Sequence, residues 1–300
     1  MCEGKFYRLT NDLLFHIVMQ ESEVALKGLV ASLLSKKVEE ITSVEVLNPI
    51  DYSQRISSKE IILDVNARVN EDTLVNVEVQ VRRYETWHLR SLYYATRMAA
   101  QSNPGKTYAE LPIIRQFSIL DYTFDGDDPE FFSEYELRNK KTGKRYTDRF
   151  CISIMDLTQR DLASPEDIAS GRLVWAELFR AKSWDELNQL AEKDALARGV
   201  VDIMRTATKD DGISFAINER EIAEMDALSR EKEAEKCGME RGLKQGLEQG
   251  MKKGIEEGVR SKNFEFAKKL LSKGFAYDVV RELVDYPFTD DELEQFKDKI

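Results

Sequence analysis

Asp64 and Glu78 stand on two short runs in which polar and apolar residues alternate. Val65, Ala67 and Val69 are apolar, and Asp64, Asn66 and Arg68 between them are polar. From Thr73 to Val81 the four valines at 75, 77, 79 and 81 share one face, and Asn76, Glu78 and Gln80 share the other. That period of two marks a pair of strands, Glu60 to Asn70 and Thr73 to Val81, joined by a turn at Asn70–Thr73. The valine faces coincide only if the loop has an odd length and is centred on Glu71 or Asp72. Asp64 then lies opposite Glu78 or opposite Gln80, and either register sets two carboxylates and an amide side by side. Their repulsion is offset by a hard divalent cation, held by Asp64, Glu78 and the Val79 carbonyl. Mg suits so sparse an oxygen set, with Mn as an alternative. Such an ion acidifies a water and stabilises the charge that builds on a scissile phosphate, with Gln80 orienting the water. The plainer alternative is a half-exposed hairpin with a polar outer face.

These residues need elements to hold them. Leu9-Thr10-Asn11 precede a helical run, LLFHIVMQESEVALKGLVASLL, capped by Thr10 or Asn11. Asp12 sits in its first turn, as an acid favoured by the helix dipole or an accessory at the metal site. A Val/Ile-rich stretch covers Ile41 to Ile50. Tyr84 to Gln101 reads as a helix ended by Asn103-Pro104-Gly105, and Leu111 to Tyr122 as a buried strand. Arg90, Tyr94, Arg97 and Gln101 fall on one stripe of that helix. Arginines beside an acid pair suit phosphate, with Tyr94 in support; the alternative is a solvated face. Helix, three strands, helix and strand in this order imply a sheet covered by helices.

Beyond the acidic loop Asp125–Pro129, Phe131 to Leu137 and Tyr146 to Leu157 form a hairpin. Its tip, Arg138 to Arg145, carries five cations and no acid. Lys140, Lys141, Lys144 and Arg145 can grip a nucleic-acid backbone, or simply guard a strand edge. Pro165 to Lys236 is helical. Glycines then recur at 238, 242, 246, 250, 254 and 258, each followed by an apolar residue. A period of four drifts about 40° per step against a 3.6-residue turn, which favours right-handed wrapping on a partner. The repeat is therefore a homo-oligomerisation element or a frayed spacer. The tail is two short helices separated near Gly274. The expected pieces are a core at 1–125, a loop and hairpin at 126–164, a helical extension at 165–236, the glycine repeat at 237–262 and a small tail at 263–300.

The chain of 300 residues carries a net charge of -11, which excludes a basic protein overall but not a local basic groove. Its three cysteines lie far apart, outside any disulfide framework. His16 and His88 are too few and too scattered for zinc. The glycine repeat matches no phosphate-binding loop. Without a signal peptide or an apolar run of about 20 residues, the expectation is a soluble, cytoplasmic protein with no membrane partner.

Asp64, the gap, Glu78-Val79-Gln80 and the Arg90-Ser91-Leu92-Tyr93-Tyr94 helix resemble the PD-(D/E)XK nuclease superfamily. Within it the chain is similar to the recombination-promoting nuclease (Rpn) family, also described as PD-(D/E)XK family transposases. Asp64 matches the metal aspartate, with Leu63 in place of the superfamily proline. Glu78 matches the second acid. Gln80 stands where most of the superfamily has lysine, and glutamine is this family's usual variant. Asp12-Leu13-Leu14-Phe15 resembles the family's N-terminal Asp-x-x-Phe helix, and the glycine repeat is typical of it. The resemblance implies a restriction-endonuclease-like α/β core and a metal-dependent DNA endonuclease with a role in recombination or mobile elements. The rivals are a DNA- or partner-binding protein that keeps the fold without activity, since glutamine lacks the charge of lysine, and an assembly module acting through the glycine repeat.

Overall fold

The computed structural model describes residues 4–50, 64–101, 107–284 and 288. Residues 60–63 of the first expected strand, the Asn103-Pro104-Gly105 stop and most of the end of the tail lie outside them. Contacts divide the chain into residues 1–223 and 224–300.

In the first unit, the expected N-terminal helix is two: α1 (Asp12–Glu21) and α2 (Glu23–Leu33). Ser22 breaks the run by adopting an extended conformation, and its hydroxyl accepts from the Ala25 amide at 3.0 Å to cap α2. Asn11 caps α1 through the Leu14 amide. Six strands form one sheet in the order β1-β2-β3-β4-β6-β5: β1 (Val44–Val46), β2 (Val65–Val69), β3 (Thr73–Gln80), β4 (Ile113–Leu120), β5 (Phe132–Glu136) and β6 (Phe150–Asp156). β1, β2 and β3 run antiparallel to their neighbours, β3, β4 and β6 run parallel, and β5 closes the far edge antiparallel to β6. The expected hairpin is therefore part of the sheet. Parallel neighbours need a crossover. Between β3 and β4 it is α3 (Trp87–Gln101), which lies against the sheet face that carries Glu78.

The opposite face builds the main core. Val65, Ala67, Val75 and Val77 join one cluster with Phe15, Leu29, Trp175 and Phe179. Those residues come from α1, α2 and α5 (Arg172–Arg180). With α4 (Pro165–Ala169), α6 (Trp184–Lys193) and α7 (Ala195–Ala207), α5 makes up the helical segment set apart in the sequence as an extension. Phe15 and Phe179 pack with their rings tilted by 52° and centroids 5.6 Å apart. Truncating either fully buried ring to alanine should cost about 3–5 kcal/mol.

Helix α8 (Asp211–Ser272) carries the glycine repeat. In the second unit it ends in a Schellman turn: Gly274, at φ 86°, donates to Leu271, and Phe275 donates to Leu270. Helix α9 (Tyr277–Leu283) then returns, so that Val280 and Val284 bury against Ala267, a small core of its own. No helix of the described residues is long and apolar enough to cross a membrane.

Candidate active site

The turn between β2 and β3 fixes the register. Asn70 and Glu71 have φ of 48° and 65°, so the chain reverses in three residues and Val69 pairs with Thr73. Asn70 is held there by its side chain, which accepts from the amides of Thr42 and Ser43 and donates to the Glu40 carbonyl. Val65 then pairs with Val77. One residue further, Asp64 stands across from Glu78, the first of the two registers the alternation allows. Asn48 secures that end of β2, donating to the Asp64 carbonyl at 2.6 Å and accepting from the Asn66 amide at 3.0 Å.

The expected polar outer face is only partly open to water: Arg68 is exposed and Asp64, Asn66 and Gln80 are half-buried. α3 covers it, packing Trp87 on Leu120 and Ile154 at one end and Ala95 on Leu74 and Ile114 at the other. Between these apolar patches the sheet stays polar: Asn76, Glu78, Gln116 and Ser118 are 3%, 0%, 0% and 1% exposed. Glu78 Oε1 meets Arg90 at 3.1 Å and accepts from Gln80 Nε2 at 3.2 Å, while its Oε2 is buried without a hydrogen-bond partner. Burial raises Asp64 to a pKa of about 6, with Arg90 opposing and the charge of Asp12 adding to the rise. Burial, then the charge of Asp64, raises Glu78 to about 7 against the pull of Arg90 and Gln80. Neighbouring carboxyls whose ionisation burial and mutual repulsion oppose are common at functional sites. Among the described residues no three His, Cys, Asp or Glu side chains are grouped as a metal cage. The donor set nevertheless fits a hard cation that keeps water and substrate as its remaining ligands, with the unpartnered Glu78 Oε2 as an available oxygen. The Gln80 carbonyl accepts from the Asp121 amide on the β4 side.

The other sequence candidates divide. Arg90 is committed to Glu78 and lies over the Tyr94 ring at 5.3 Å, so it does not stand clear for phosphate. Arg97 is exposed and, with Tyr94 and Asp64, lines a cavity beside the acids. The side chain of Gln101 lies outside the described residues. Asp12 is taken by Arg220, at 2.6 Å, although its charge reaches Asp64. At the hairpin tip the exposed Arg138 and Arg145 both pair with Glu136, whereas Lys140, Lys141 and Lys144, equally exposed, do not. His16 is fully buried on α1. Tyr122 escaped the sequence reading: burial and then the charge of Glu78 push its phenol up to about 12. Asn48, Gln116 and Ser118 escaped it too. The last two stand two apart on β4 and so share a face, a period-two signal hidden in an apolar run.

No curated protein and no solved structure matches the chain. The family model described as PD-(D/E)XK nuclease family transposase matches residues 9–234, from the cap of α1 through the whole sheet and α7 into α8. With a mixed sheet flanked by helices and an acid pair at the start of β2 and the end of β3, the chain belongs to the PD-(D/E)XK nuclease family transposases.

Proposed function

We propose that the protein is a Mg-dependent DNA endonuclease acting in recombination or mobile-element biology, within a reducing cytoplasm. The observation that carries this reading is the placement of half-buried Asp64 across from fully buried Glu78, two carboxyls raised together, one with an unpartnered oxygen. Asp64, Glu78 and the Val79 carbonyl would hold the cation, which, when bound, supplies charge at the scissile phosphate and makes a water more acidic. Gln80 spends its amide N–H on Glu78, which leaves its amide oxygen to accept from the attacking water. Arg90 holds Glu78 in place and contributes the fixed positive charge that glutamine lacks, from α3 instead of β3. Arg97 holds backbone phosphate, with Lys140, Lys141 and Lys144 as outlying contacts. Nicking of supercoiled plasmid with Mg, Mn, Ca or EDTA, beside Asp64→Ala, is the test. Cutting that is unchanged by EDTA, or by Asp64→Ala, would remove the reading.

The repeat supports a second role. Met239, Leu243, Leu247 and Met251 are 66–72% exposed on α8, which fits pairing with a second copy through the glycine repeat at 237–262. A chain ending at Lys236 should keep the nuclease fold and its cutting while losing any self-association, read by light scattering.

A further inference from the structure

Beside the acid pair lies a cavity of about 430 Å³, walled by Asp64, Asn66 and Asn76 from the sheet and by Tyr94 and Arg97 from α3. Its size falls among small-ligand sites, roughly 300–1,000 Å³. The sheet register explains its chemistry. Asn66 and Asn76 are direct partners and Gln116 stands beside Asn76 on β4, so three amides cross the sheet in one row. That row adjoins the one holding Asp64 and Glu78.

Asn76 is 3% exposed and donates through Nδ2 to Gln116 Oε1 at 2.9 Å. Its Oδ1 and the Nε2 of Gln116 are buried without hydrogen-bond partners. Each such orphan is unfavourable, since a buried polar group has given up water without a replacement. One row away on the same face, Leu74 and Ile114 pack under Ala95 and incur no such cost. A polar row kept at that expense, with one orphan on a cavity-lining residue, points to a ligand with hydrogen-bonding edges. Amides present donor and acceptor together, the pattern that reads a nucleobase edge. Tyr94 supplies an aromatic wall of the kind on which unpaired bases stack. Arg68 and Arg97, both exposed, line the same cavity and suit the phosphates on either side of such a base.

We propose that this cavity receives one unpaired nucleobase of the DNA substrate, adjacent to the phosphate to be cut, with Asn76 on its edge and Tyr94 on its face. The inference rests on the nuclease reading and sharpens its substrate class. A stacked, paired base must first be extruded, at a cost of a few kcal/mol that an unpaired base avoids. Bulges, junctions and single-stranded stretches are therefore favoured over continuous duplex.

The test is fluorescence anisotropy of the full chain, in Ca²⁺, on three labelled duplexes: fully paired, with a one-adenine bulge, and with the same bulge made abasic. The adenine bulge should bind about tenfold tighter than the abasic one, as expected for one stacked base. Tyr94→Leu, on the half-exposed wall, should reduce that ratio to near one, as should Asn76→Ala in whatever fraction folds. Free dAMP should compete only weakly. Equal affinity for adenine and abasic bulges would overturn this inference and leave the nuclease reading standing. A ratio preserved in Tyr94→Leu, or tight dAMP binding without base preference in DNA, would overturn it as well. Absence of binding to all three duplexes would overturn both readings.

Discussion

The sheet face under α3 and the glycine repeat of α8 are both regular patterns in the sequence, and they end in opposite environments. On the sheet face each side chain has a neighbour: Arg90 on Glu78, Gln80 on Glu78, Asn76 on Gln116. On the repeat, a Cβ added at any of the six glycines from Gly238 to Gly258 would meet nothing within 4 Å beyond the adjoining backbone of its own helix and its chain neighbours. The apolar residues beside those glycines face solvent. A pattern that tertiary structure consumes fixes a site inside the chain. A pattern that it leaves unused refers to something outside the chain, or to nothing. Six interior glycines each forgo about 1 kcal/mol of helix stability relative to alanine, so the unused pattern is also the weaker structure.

The comparison breaks hardest at the acids. Asp64→Ala or Glu78→Ala should lower plasmid cutting by about 10³-fold or more, since several kcal/mol of charge stabilisation are removed. Circular dichroism should stay unchanged, because neither side chain belongs to the apolar core. Next comes Gln80→Ala, expected to lose about 10²-fold through a misplaced water, while Gln80→Lys retains measurable cutting. Equal rates for Gln80→Ala and the parent would leave Glu78 and Arg90 to act without it.

A third test uses pH in the absence of metal. Asp64 and Glu78 titrate near 6 and 7 in the fold and near 4 in the unfolded chain. The folded state therefore holds more protons between those limits, and stability falls as pH rises from about 4 to 7, then levels off. The two groups together account for a loss on the order of a few kcal/mol. Asp64→Asn should flatten that decline and melt higher than the parent at pH 8. A parent whose melting temperature climbs from pH 5 to 7 while Asp64→Asn does not would contradict the raised acid pair.

The smaller effects sharpen the contrast. Arg97→Ala should reduce the log–log salt slope of DNA binding by about 0.9, one phosphate contact, with a smaller change in cutting. Gly246→Ala should raise the helicity of residues 237–272 if the repeat is only a spacer, by about 1 kcal/mol. If the repeat pairs, the same methyl should weaken association, seen as a lower mass at fixed concentration.

Much of the site was legible because strands of period two announce their faces. Asp64, Glu78, Gln80 and the loop parity followed from the valines alone. The choice between two registers did not, because it depends on Asn70 and Glu71 both taking positive φ, and on a grip between Asn70 and Thr42 that spans 28 residues. The contact of Arg90 with Glu78 could not be read from the stripe of α3, since it is known only once the crossover lies on the sheet. The break at Ser22 was missed because the apolar rhythm of α1 continues through α2, and only the cap reveals the joint. The helices from α4 to α7 were read as helices, but not as walls of the same core, since contacts such as that of Phe15 with Phe179 carry no local signal.

Asp12 and Arg220 are 208 residues apart in sequence, and Trp184 and Asn218 likewise reach back to Gly4 and Lys5. A chain emerging from a ribosome makes the sheet, the acids and α3 long before it makes Arg220. Until then Asp12, whose charge reaches Asp64, is without its ion-pair partner. The N-terminal residues and Asp12 are thus tied down only once the first turns of α8 have been made.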